Sequence, residues 1–132
     1  MSLRFEKGRL AMIGLKHRSE LTATNILNSI LAVFLFFSPW LVGFRDVQAA
    51  TWNAGVCGLA IGLMAALAIT ELQEWEEWVN AALGLWTAAA PWALGFAGVT
   101  TAMWTHVLVG LAAAVLAAVG LWLIHASATR AS

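Results

Sequence analysis

The polar side chains able to do chemistry in this chain are few. Asn28 and Asn80 occupy matching places in two long apolar runs, Thr87 follows Asn80 by seven residues, and His106 opens the last apolar run. Glu71, Glu74, Glu76 and Glu77 crowd one short stretch between runs. Two asparagines at equal depth suit an interhelical hydrogen bond, which contributes about 0.6–2 kcal/mol in a membrane, or a contact with a small solute or ion. His106 is the sole ionisable candidate in the runs and reads as an interfacial histidine; with Thr87 it is also a candidate pore or pocket residue. The glutamates, set among Trp75 and Trp78, form a solvated hinge or a docking patch for a basic segment or partner.

Other chemistries lack their residues. The sequence has no Gly-rich phosphate loop, no Gly-x-Ser-x-Gly, no His-Glu-x-x-His and no extramembrane stretch large enough for an active site, so no enzyme and no cofactor is expected. His17 and His125 lie outside the apolar runs and cannot be grouped with His106, so no metal-ligand set is expected. The single cysteine, Cys57, lies within an apolar run and excludes an internal disulfide. Proton-coupled pumps need an ionisable group in the membrane, and no run contains Asp, Glu, Lys or Arg.

The elements that carry these residues are membrane helices. Of the 132 residues 61% are hydrophobic and 11% charged, with mean hydropathy +0.81, far from the quarter or so of charged residues in soluble domains. Residues 26–44, 52–70, 78–96 and 103–124 are four charge-free runs, and nineteen residues at 1.5 Å each give about 28 Å, the thickness of the hydrocarbon core. A cleavable signal peptide would have a shorter core than 26–44, and the same pattern recurs downstream, so the first run is read as a retained helix. Residues 1–24 are a basic segment too short to span, suited to an anionic membrane surface or to solvent. Residues 73–76 read as an acidic linker and 125–132 as a polar tail.

The runs repeat. At an offset of 52 residues, the distance from Pro39 to Pro91, residues 25–72 align with 77–124 without a gap and fourteen positions are identical, among them Asn28/Asn80, Trp52/Trp104 and Gly58/Gly110. The centre of each copy is Pro-Trp-x-x-Gly-Phe: Ser38, Pro39, Trp40, Gly43 and Phe44 in the first, and Pro91, Trp92, Gly95 and Phe96 after Ala90 in the second. Proline lacks the amide donor and crowds the carbonyl four residues back, Leu35 or Thr87, which predicts a kink one turn before the helix ends. Trp anchors the end at the headgroups, and Gly can take the left-handed cap. Two units of two spans each enter from the same side, which implies a pseudo-two-fold axis along the membrane normal.

Two helix pairs, each with Ser-Pro-Trp or a variant in its first helix, resemble the SPW repeat family of bacterial membrane proteins over residues 25–124. The resemblance implies architecture and a bacterial inner membrane, and it implies no activity. The second copy replaces the serine with Ala90, so a hydroxyl is not common to both units.

The fold expected is therefore all-α, a polytopic four-helix bundle of two parallel helix-pair repeats. Six of seven Lys/Arg fall on one side if both termini are cytoplasmic, which sets the orientation. Small residues at four-residue spacing, Gly58, Gly62 and Ala66 in the second helix and Gly110, Ala114 and Ala118 in the fourth, predict that these two helices pack face to face, with the first and third more exposed to lipid. Seven of the eight tryptophans fall at predicted helix ends and form interfacial belts; Trp86 is mid-span. The expected partners are the lipid bilayer and a second copy or a larger membrane complex, with no nucleic-acid footprint. A scaffold or interaction subunit is the role expected first, a small oligomeric channel or uniporter second.

Overall fold

The computed structural model describes the backbone of residues 2–70 and 74–131 and the side chains of 20–69 and 74–126. Among the described residues four helices run up and down. Helix α1 covers Ser2–Ser38 and continues as a π turn over Pro39–Gly43; α2 covers Gln48–Thr70, α3 Glu74–Ala93 and α4 Thr100–Ala131. Both described termini lie at one end of the bundle, here the terminal end, and the Pro-Trp-x-x-Gly-Phe stretches at the other, the motif end. The basic segment is not separate from the first span, because its backbone winds on from Ser2 as part of α1. At 37 residues α1 is about 55 Å long, well beyond a hydrocarbon core.

The helices stop where the glycines stop them. Gly43 and Gly95 have φ of +96° and +80°, the left-handed conformation that costs glycine little. At Gly95 the amide of Phe96 donates to the carbonyl of Pro91 at 2.8 Å, the six-to-one bond of a Schellman cap. The two turns that follow share their hydrogen bonds at the 52-residue offset. Val47 donates to the Phe44 carbonyl at 2.9 Å and Val99 to that of Phe96 at 3.0 Å; Thr51 and Met103 then donate to the carbonyls of Val47 and Val99.

Turns this short make consecutive helices antiparallel neighbours, and α1 packs on α2 while α3 packs on α4. The two pairs then meet through α1 on α4 and α2 on α3, which leaves α2 and α4 on a diagonal. The expected face-to-face packing of α2 on α4 is therefore replaced by packing within each pair. A Cβ on Gly58 would come within 2.8 Å of the Ala32 carbonyl and the Phe36 amide of α1, and one on Gly110 within 2.5 Å of the Gly84 carbonyl of α3. Small residues permit close approach without choosing the partner; the short connections choose it.

Among the described residues three helices are long and apolar enough to cross a membrane: Glu20–Gly43, Gln48–Ile69 and Thr100–Ala126. The fourth expected span, α3, is also long enough at about 30 Å, but it is amphipathic. Its buried residues, Glu76, Glu77, Asn80, Gly84, Thr87, Ala90 and Pro91, follow the helical period, with 77, 80, 84, 87 and 91 three or four apart, and form one stripe. Trp75, Trp78, Leu85, Trp86 and Trp92 face outward. A polar stripe turned into the bundle with tryptophan and leucine outside is the reverse of a water-soluble helix, as a lipid solvent requires. The seven belt tryptophans are all exposed on this apolar surface.

Candidate functional site

The buried polar groups form two layers. At the terminal end are Asn25 and Asn28 of α1 with Glu76, Glu77 and Asn80 of α3; toward the motif end are Ser38, Asn53, Thr87, Thr105 and His106. Between them the interior is closed by Ala32, Leu35, Ile61 and Ala113.

The terminal layer starts where α3 starts. Glu74, Glu76 and Glu77 fill its first turn, where carboxylates favour the exposed amides and the positive end of the helix dipole. The acidic linker expected over 73–76 thus gives way to helix from Glu74. Its glutamates part company: Glu74 faces out, whereas Glu76 and Glu77 are 2% and 1% exposed. Glu71 lies outside the described residues. Glu74 meets the His125 Nε2 of α4 at 2.5 Å and accepts from the Trp78 indole at 3.4 Å, and these neighbours hold its carboxyl below the usual carboxylate value. His125, isolated in the sequence, is therefore a bridge between the ends of α3 and α4.

Glu77 is held by Asn25, whose Nδ2 donates to its Oε1 at 2.8 Å and also to the Leu21 carbonyl at 3.0 Å. These two residues stand 52 apart, so the bond joins the same position of the two sequence copies. Gly120 of α4 makes room for the carboxylate, since a Cβ there would lie 2.8 Å from its Cδ. Asn28 and Asn80 sit one turn deeper, fully buried. The hydrogen bond expected of them is not formed: neither amide atom of Asn80 has a partner, nor does Oδ1 of Asn28. A bond that links equivalent positions of the repeats lies instead at Asn25 and Glu77, a pair whose unlike residue types hide it from a search for identities. The repeat offset combined with the stripe at 77, 80, 84 and 87 was the signal that could have found it.

At the motif end the serine has a backbone task. Pro39 leaves the Leu35 carbonyl without its helical donor, and Ser38 Oγ donates to that carbonyl at 2.6 Å. In the second copy Ala90 has no hydroxyl, and Thr87, one residue of the candidate pore, bonds instead to the Leu83 carbonyl at 2.8 Å. Trp40 and Trp92 are exposed, while Phe44 and Phe96 turn inward. Between the two phenyl rings lies His106, with centroids 5.9 Å and 4.8 Å away. The expectation of an interfacial histidine is corrected here: His106 is fully buried, because both motif phenylalanines close over it. Its Nδ1 lies 2.8 Å from the Ala102 carbonyl and therefore carries the proton.

A third polar contact, not foreseen, joins α2 to α3. Asn53 Oδ1 accepts from the Trp86 indole at 3.0 Å and from Cys57 Sγ at 3.5 Å. The one mid-span tryptophan is thus a hydrogen-bond donor between helices. Of the small residues expected at contacts, Gly58, Gly62, Gly110 and Ala114 lie against neighbouring helices, while Ala66 and Ala118 are exposed.

Among the described residues the hydroxyl of Ser38 serves a carbonyl, the thiol of Cys57 serves an amide, and the ring of His106 faces phenyl groups. No group of three or more His, Cys, Asp or Glu able to hold a metal ion occurs among them. The family model described as SPW repeat domain matches residues 22–122. No curated protein and no solved structure matches the chain.

Proposed function

Because the chain belongs to the SPW repeat family, a family of membrane proteins, we propose that it acts without catalysis, as a small bacterial inner-membrane subunit or scaffold that assembles with itself or with a larger membrane complex. Both termini face the cytoplasm in this reading, supported by the six Lys/Arg on that side. One observation carries it. The apolar face of α1 and α2 holds a groove of about 320 Å³ whose floor reaches Gly58 and Gly62 and whose walls are Phe36, Phe37, Leu59 and Leu63. Helix association in lipid depends on such close-packing surfaces, since the hydrophobic effect gives no drive there. Extraction into lipid nanodiscs followed by mass measurement is expected to give a dimer or higher species, or a co-purifying membrane chain. Gly62→Trp, which fills the groove, should dissolve that assembly. A monomer with nothing bound would overturn the proposal.

The second reading, a channel or uniporter, is favoured by the buried polar layers, which place Asn28, Asn80, Thr87 and His106 inside the bundle. The apolar layer at Leu35 and Ile61 closes that interior, so conduction would need an opening or a path between copies. Liposome flux abolished by Asn28→Leu would favour this reading over the first.

A further inference from the structure

The terminal polar layer has an excess of acceptors over donors. Glu77 Oε2 and Asn25 Oδ1 have no hydrogen-bond partner, although both residues are 1% exposed and their side chains touch. The Asn25 amide hydrogens are spent on Glu77 Oε1 and the Leu21 carbonyl. One turn deeper, Oδ1 of Asn28 and both amide atoms of Asn80 also lack partners, so the one idle donor, Asn80 Nδ2, stands among several idle oxygens. Glu76, buried beside Glu77, adds a second carboxylate close enough to act on it electrostatically. The described basic side chains lie elsewhere: Arg45 is exposed at the motif end, His106 is buried there and His125 is on Glu74.

A carboxylate withdrawn from water is costly unless a positive partner and hydrogen bonds replace its hydration. A proton on Glu77 Oε2 could be donated to Asn25 Oδ1, but it would leave Oδ1 of Asn28 and of Asn80 bare. A hard cation satisfies several oxygens at once, and an oxygen-only set is the kind that alkali and alkaline-earth ions take. The proposed ligands carry one carboxylate, which matches a single positive charge, and no group of three or more His, Cys, Asp or Glu able to hold a metal ion occurs among the described residues.

We propose that Glu77 Oε2 and Asn25 Oδ1, backed by the buried amides of Asn28 and Asn80, form a binding site for a small monovalent cation of the Na⁺ or Li⁺ class between α1, α3 and α4. The ion enters from the terminal end, where α3 begins, and ties the two repeats together at a position where their equivalent residues bond.

The test uses the full chain in nanodiscs at constant ionic strength, with N-methylglucamine replacing the metal ion. The Tm, read by tryptophan fluorescence, is expected to rise with Na⁺ or Li⁺ and to level off, and sodium NMR lines broadened by the protein should sharpen when Li⁺ is added. Asn25→Leu is expected to raise the half-saturating concentration about tenfold or more. Glu77→Gln should abolish the response, and Glu74→Gln, an exposed carboxylate three residues away, should keep it. The NMR measurement on the unaltered chain decides the matter if Glu77→Gln fails to fold. A flat Tm and unbroadened lines overturn the proposal, as does a response that survives Glu77→Gln. A Tm that follows pH and ignores every cation also overturns it, and assigns the carboxylate to a proton.

Discussion

The two repeats are the same where the helices end and different where the interior is polar. Both copies use Pro, Trp, Gly and Phe to finish a helix, with a left-handed glycine and the same turn hydrogen bonds. Their unlike positions hold most of the buried polar groups: Asn25 opposite Glu77, Ser38 opposite Ala90, Leu35 opposite Thr87, and Ala54 opposite His106. The shared residues thus make the scaffold, and the unlike ones supply most of its polar interior.

The largest expected effect breaks the scaffold half. Gly110→Val should separate α3 from α4, because its Cβ would sit 2.5 Å from the Gly84 carbonyl; overpacking of this kind costs about 1–3 kcal/mol. Its counterpart Gly58→Val, at 2.8 Å, should cost a similar amount, whereas Gly98→Ala, with open space around it, should leave the Tm unchanged. Thermal unfolding of the three variants in one detergent checks this. Next come Gly43→Ala and Gly95→Ala, each forced to a positive φ at a cost of about 1–2 kcal/mol. The two losses should match, and a difference above measurement error would show that the copies do not share their caps.

A smaller effect sharpens the comparison at the motif. Ser38→Ala makes the first copy resemble the second and removes the bond to the Leu35 carbonyl, for a loss of about 0.5–1.5 kcal/mol. Ala90→Ser, the reverse exchange, should not destabilise and should recover part of that loss in the double variant. The smallest effect concerns Glu74. Its carboxyl is held below the ordinary value of 4.5 in the folded chain, so its contribution is present above that value and is lost as pH falls through the lowered one. The Tm difference between the unaltered chain and Glu74→Gln should therefore be small at neutral pH and vanish in acid; a difference that grows in acid would reverse the sign.

The sequence by itself determined the class, the repeat and the ends of the helices. Apolar run length is a one-dimensional property set by bilayer thickness, and a left-handed glycine after proline and tryptophan is a local requirement, so both could be read at Gly43 and Gly95. Packing partners and buried polar contacts were decided by tertiary structure. Gly58 and Gly110 announce close approach in any direction, and only the short turns send them to α1 and α3 rather than to each other. Glu77 stands one residue before an apolar run and resembles a solvated linker. It is buried because α3 begins at Glu74 and its polar stripe points at α1 and α4, where Asn25 and Gly120 receive it. His106 likewise looks interfacial by depth alone, and it is enclosed because two phenylalanines from different copies of the motif converge on its ring. Depth in a membrane follows from position along the chain, while the direction a side chain faces depends on which helices meet.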